Sequence, residues 1–183
     1  MDSAAARPAG LARRLAASGY EGLLLTALLI GVGFALLPLV SPTPDPAGAT
    51  MPSHENAGRS LYAIAPGARR LSAAVIFAVG GSYCGWFWSG GRRSLAMKTW
   101  RLALGTTSGG PVAVPTATLR YLACWMGPAL AIASYQALQP LGYGRWAWLL
   151  LAVNYAWAFI DRDRQFLQDR VARTRLVLTE PGR

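Results

Sequence analysis

Apolar residues run almost without interruption through four stretches, Tyr20 to Val40, Leu71 to Ser89, Leu119 to Leu138 and Leu141 to Ile160, separated by polar or proline-rich segments. About 20 residues of helix rise roughly 30 Å, the thickness of a bilayer's hydrocarbon core, and each stretch is about that long. A helix also satisfies its own backbone where no water can. The pattern predicts an all-α fold, a polytopic membrane bundle of four transmembrane helices with short amphipathic segments on the cytoplasmic side.

The intervening segments divide the chain further. Residues 1–12, rich in Ala, Gly and Pro, predict a disordered cytoplasmic N-terminus, followed by a membrane domain over 13–177 and a tail over 178–183. The prolines of Ser41-Pro42-Thr43-Pro44-Asp45-Pro46 stop the first helix and open an external loop over 41–70, which Tyr62 to Ile64 could dock at the interface. The middle loop, 90–118, begins as a basic surface helix with Leu95, Trp100 and Leu102 facing lipid or neighbouring spans. It continues as a short hairpin around Ser108-Gly109-Gly110.

Within the spans, Gly127-Pro128 predicts a kink whose freed carbonyl is satisfied by a neighbour. Asn154, near the middle of the fourth stretch, is expected to hydrogen-bond another helix, and the small-xxx-small pair Gly81 and Gly85 to admit one closely. Trp86, Trp88, Tyr121, Tyr143, Trp146 and Trp148 stand where interfacial aromatics belong. A cleaved signal peptide fits poorly, because the first apolar run is too long and Ala47-Gly48-Ala49 lies too far beyond it.

A net charge of +10 would suggest nucleic acid in a soluble chain, but here the charges lie between apolar spans. Fourteen of the 18 Lys and Arg fall on the side shared by the two termini and the middle loop, and four on the other. By the positive-inside rule both termini and the middle loop are cytoplasmic, where their basic residues meet anionic lipid. Cys84 and Cys124 read as small apolar groups inside spans. The single histidine, His54, lies in the external loop, so neither a metal site nor a cofactor is expected. The middle loop carries no GxxxxGK[ST] phosphate loop.

Charged residues near the spans are few. Glu21 sits at the start of the first span, seven residues after Arg14, on the same helix face and about 10 Å away. It therefore needs a partner from another element, and Arg120 and the tail arginines are on the correct side. The tail, from Asp161 through Asp163, Asp169 and Arg170, alternates its charges and has Leu167 and Val171 at helical spacing, so it is expected to fold back as an interfacial helix presenting Asp169 to Arg13 or Arg14.

Three patches together resemble the RDD family of small bacterial membrane proteins: Arg13-Arg14-Leu15 through Glu21-Gly22-Leu23, Ser94-Leu95-Ala96 through Arg101-Leu102 to Arg120-Tyr121, and Asp161-Arg162-Asp163 through Asp169-Arg170 and Thr174. The resemblance places the family arginine on Arg14, or on Arg13, and the two acidic positions on Glu21 and Asp169. Arg120, Asp161, Arg170 and the other of the two arginines are supporting residues. Glu21 replaces the usual aspartate with one more methylene. Gln168 stands where histidine is frequent, and a neutral amide cannot shuttle a proton. Arg173 stands where glycine is common, which argues against a tight turn there.

The resemblance implies a multi-pass inner-membrane protein with a role in transport of ions or small solutes. Glu21 would then titrate or bind a cation, Arg14 and Arg120 would set its charge state, and Asp169 would complete a cytoplasmic gate. The same charges fit a structural clasp in a non-catalytic scaffold or assembly partner. Four spans are few for a pore, so the transport reading implies a homo-oligomer, whereas the scaffold reading implies a membrane protein partner. An enzyme is not, because no nucleophile and base can be assembled, and the arginines among Asp161, Asp163 and Asp169 would repel a divalent cation.

Overall fold

A computed structural model describes residues 9–40 and 66–179. The residues expected to dock the outer loop, Tyr62 to Ile64, lie outside the described residues, as do His54 and most of the tail beyond 178. The chain divides into two units, residues 24–80 and residues 1–23 with 81–183.

Two long helices, α1 (Leu11–Val40) and α2 (Pro66–Trp88), run through both units. Leu11 and Ala12, expected in the disordered terminus, already belong to α1. Both helices are long and apolar enough to cross a membrane. In the smaller unit Ile30, Phe34, Leu39 and Leu71 are more than half exposed, a surface suited to lipid tails rather than water. The Ser72 hydroxyl donates to the Ala68 carbonyl at 2.9 Å, which keeps it satisfied without a partner outside its helix.

The larger unit holds the remaining elements. After α2 come α3 (Leu95–Thr99), β1 (Leu102–Thr106), α4 (Val114–Cys124) and α5 (Met126–Leu138). Two 3-10 helices follow, Gln139–Leu141 and Gly144–Ala152, then α6 (Val153–Ile160), α7 (Leu167–Val171) and β2 (Thr174–Leu178). Pro115 in the first turn of α4 sits where a missing N–H costs nothing.

The third and fourth apolar stretches are not the continuous α-helices expected. The third breaks at Trp125, between α4 and α5, three residues before Pro128. Proline has no N–H to offer the carbonyl four residues earlier, that of Cys124. The Asn154 side chain supplies the missing donor, with Nδ2 at 2.7 Å from the Cys124 oxygen and 3.2 Å from that of Ala123. The kink and the inter-helix amide, read separately from the sequence, are thus one joint. The fourth stretch opens as the 3-10 helix Gly144–Ala152, which packs along α5 so closely that a Cβ on Gly127 would stand 3.0 Å from the Leu150 carbonyl oxygen and 3.1 Å from that of Leu151.

The helical fold also carries a strand pair that an all-α reading omits. β1 and β2 pair antiparallel, Leu102 opposite Leu178 and Leu104 opposite Leu176. Leu102, Leu104, Thr174 and Leu176 are buried on one face, so of the two settings expected for Leu102, lipid or neighbouring elements, the fold gives it the protein interior. The local hairpin shrinks to a bridge between Gly105 and Pro111, with Thr106 closing the turn by accepting from Gly110 at 2.9 Å. The physical reason is apolar: β2 offers leucines to cover Leu102 and Leu104, whereas Ser108-Gly109-Gly110 offers none.

Helix α3 buries Ala96 and Met97 and leaves Leu95 and Trp100 exposed, as expected of a surface helix. Of the two small residues in α2, Gly81 is needed, since a Cβ there would meet the Tyr121 ring at 3.1 Å, but Gly85 has open space. Arg173 does occupy a tight turn, at φ 51°, between α7 and β2. Its N–H donates to the Arg170 carbonyl and its own carbonyl accepts from Thr107, so hydrogen bonds hold the left-handed backbone without glycine. Arg173→Val is expected to lower stability by about 1 to 2 kcal/mol. Arg173→Gly should match or exceed the wild type in a thermal melt in detergent, which checks both.

Candidate functional site

Apart from the exposed Arg13, the charged side chains singled out in the sequence gather in the larger unit from the first half of α1, from α4, from the turn between α6 and α7, and from α7 itself. α7 packs on α4 and α6, and this brings Asp169 to Arg120. Arg120 Nε donates to Asp169 Oδ1 at 2.8 Å, with both residues buried. The indole of Trp88 covers the guanidinium, 4.1 Å from ring centre to Cζ. A carboxylate away from water needs such a partner, because the desolvation cost of each ion is several kcal/mol. Asp169 was expected to meet Arg13 or Arg14; its contact is Arg120 instead.

Arg14 is buried and Arg13 exposed, so of the two candidates for the family arginine Arg14 is the one the fold encloses. Its guanidinium donates to the Arg164 carbonyl and lies 5.3 Å from the centre of the fully buried Phe166 ring. It also feels Asp169 and Asp161 electrostatically. The turn that presents the Arg164 carbonyl is built by Asp161. Its Oδ2 accepts from the backbone of Asp163 at 3.1 Å and Gln165 at 2.9 Å, and Arg164 itself adopts φ 52°. An aspartate that hydrogen-bonds the backbone two residues on is a standard way to set such a turn.

Arg170 holds the outer side of this turn, with Nε 3.2 Å from Asp161 Oδ1 and Nη1 3.0 Å from Asp163 Oδ2. Asp161, Asp163 and Asp169 are therefore each bound to an arginine.

Glu21 differs from the others. Ser94 Oγ donates to its Oε2 at 3.0 Å, while Oε1 is shut off from solvent, with the Tyr83 hydroxyl and the Trp88 indole as the neutral donors nearest the carboxylate. Tyr83, Trp88 and Arg120 stand around the carboxylate, with Arg120 acting through space and not in a direct ion pair. Ser94 is also the N-cap of α3, where its oxygen accepts from the Met97 N–H at 3.3 Å. One hydroxyl thus ties the middle loop to α1 while finishing the helix it starts.

Gln168, Asp169 and Thr174 are buried, and Gln168 Oε1, Asp169 Oδ2 and Thr174 Oγ1 have no hydrogen-bond partner, as is also true of Arg14 Nε. Trp88 Nε1 is likewise without a partner, so unsatisfied donors and acceptors occur together in this site.

Sequence reasoning missed Ser94, Trp88, Phe166 and the Arg164 carbonyl. Ser94 could have been found, since a serine directly before Leu95-Ala96-Met97 is an N-cap signal. A backbone carbonyl aimed by a left-handed arginine carries no residue-type signature. Neither does the stacking of Trp88 on Arg120.

Compared with known protein families, residues 8–173 match the model of the RDD family. No curated protein and no solved structure matches the chain.

Proposed function

The chain belongs to the RDD family, and from that premise we propose that it is a non-enzymatic, multi-pass protein of the bacterial inner membrane that moves an ion or small solute. All four apolar stretches cross the bilayer in this reading, with both termini and the middle loop cytoplasmic. The broken fourth stretch is compatible with a crossing. Nine residues of 3-10 helix and eight of α-helix together rise roughly 30 Å.

The observation that carries the transport reading is Glu21. It stands where α1 leaves the charged layer, one carboxylate oxygen is shut off from water, its near neighbours besides Ser94 are the neutral side chains of Tyr83 and Trp88, and no arginine among the described residues touches it. Such a carboxylate is costly unless it takes up a proton or a cation, which makes it the residue able to exchange one during transport. A homo-oligomer supplies the remaining wall of the pathway.

The test is ion flux in vesicles containing purified protein. Glu21→Gln keeps an acceptor for Ser94 and removes the charge, so flux is expected to fall to the level of empty vesicles while the melting profile stays near the wild type. Equal flux from the two proteins removes the transport role.

One observation favours the second reading, a scaffold or assembly partner. The buried Arg120 and Asp169 pair closes α4 onto α7 as a structural clasp would. On that reading Glu21→Gln leaves flux at background in both proteins, and a membrane protein partner co-purifies after crosslinking.

A further inference from the structure

The four carboxylates of the described residues are all engaged within the cluster: Glu21 by Ser94, Asp161 and Asp163 by Arg170, and Asp169 by Arg120. Among the described residues, none faces the cations of the middle loop, and Arg92, Lys98 and Arg101 are all exposed. Their neighbours along the same segment are large, exposed and apolar: Trp86 is 61% exposed, Leu95 54% and Trp100 37%. A stretch of 16 residues thus alternates positive charge, unpaired with any described carboxylate, with two part-exposed rings and an exposed leucine.

The side chains are held in place. Arg92 folds back so that its guanidinium lies 4.0 Å from the centre of the Trp86 ring, and its Nη1 reaches the Trp86 carbonyl and Ser89 at 3.3 to 3.5 Å. In α3, Leu95 and Lys98 are three residues apart and share the exposed face, opposite buried Ala96 and Met97. Arg101 adopts φ 52°, and its carbonyl accepts from Thr179 at 3.0 Å, which ties the end of the segment to the chain beyond β2.

We propose that Trp86 to Arg101 forms a binding site for an anionic phospholipid, Arg92, Lys98 and Arg101 taking the phosphate-bearing headgroup while Trp86, Leu95 and Trp100 enter the interface beside its acyl chains. Tryptophan belongs at headgroup depth because one part of its ring is apolar and its N–H is polar. A cation near an anionic lipid surface gains about fivefold in affinity, and a soluble anion would leave the exposed rings and Leu95 in water. The site rests on the reading that this protein crosses a bilayer with its middle loop at a headgroup layer.

Native mass spectrometry of the whole chain in neutral detergent micelles, titrated with phosphatidylglycerol or phosphatidylcholine, tests the site. Wild-type protein retains phosphatidylglycerol in preference, and Arg92→Gln with Lys98→Gln and Arg101→Gln lowers that preference by about tenfold or more. Arg92→Lys with Arg101→Lys, which keeps the charge, retains it. Where the triple variant does not fold, Lys98→Gln alone carries the test with a loss of about fivefold.

Equal retention of the two lipids by the wild type, or an undiminished preference in the glutamine variants, overturns the site. So does displacement of the lipid by an equal concentration of inorganic phosphate, which would mark a free-anion site. Micelles have no sides, so failure here concerns the site, whereas failure of a reporter fused within the middle loop to appear in the cytoplasm concerns the topology.

Discussion

Arg120→Ala lowers the stability of the folded protein by about 3 to 5 kcal/mol, read as an early loss of the folded species on heating in detergent. The variant leaves Asp169 fully buried with its Oδ1 stripped of the guanidinium and Oδ2 already without a partner. It also removes the cation from under Trp88. Asp169→Ala falls in the same range for the mirror reason, a buried guanidinium left without its anion. Replacing both residues, Arg120→Met with Asp169→Leu, is expected to recover most of the loss, because an apolar pair of similar volume carries no desolvation cost. If either single variant melts with the wild type, the pair does not hold α7 on α4.

Gly127→Val is the second large effect, a loss of about 1 to 3 kcal/mol from overpacking. The new Cβ would stand 3.0 and 3.1 Å from two backbone carbonyl oxygens, those of Leu150 and Leu151, and backbone cannot swing aside as a flexible side chain can. Moving the Gly144–Ala152 segment away would also carry Asn154 off the Cys124 and Ala123 carbonyls that it satisfies. Gly85→Ala is the control, since nothing stands within 4 Å of a Cβ there. It is expected to be neutral or stabilising by about 0.5 to 1 kcal/mol, because alanine loses less backbone freedom in a helix. Equal melting of Gly127→Val and wild type would mean that α5 and the 3-10 segment are not packed this closely.

Much of the charged site was readable before any coordinates. Arg14, Glu21, Arg120, Asp161, Asp169 and Arg170 stand out because ionisable side chains beside long apolar stretches are few, and each needs a partner. Their pairing was not readable. Asp169 is expected from the sequence at Arg13 or Arg14, and only the packing of α7 on α4 gives it Arg120 instead. The joint at Asn154 shows the same division. Proline identifies which carbonyl is freed, and an amide in an apolar run must bond something, but that these two needs answer each other depends on how α5 and the 3-10 segment meet.

Residue order alone was enough for the apolar stretches, the helices α1 and α2, the kink before Pro128, the surface helix α3 and the membership of the charged cluster. These follow from local rules: hydrophobic run length, the missing proline N–H, and the desolvation cost of lone charges. Tertiary structure alone decided that β1 pairs with a strand about 70 residues away and not with its own turn, that the fourth stretch winds partly as a 3-10 helix, and that arginines occupy left-handed turns at 101, 164 and 173. Those outcomes depend on which distant surface is available to bury an apolar face or complete a hydrogen bond, and local sequence carries no record of that.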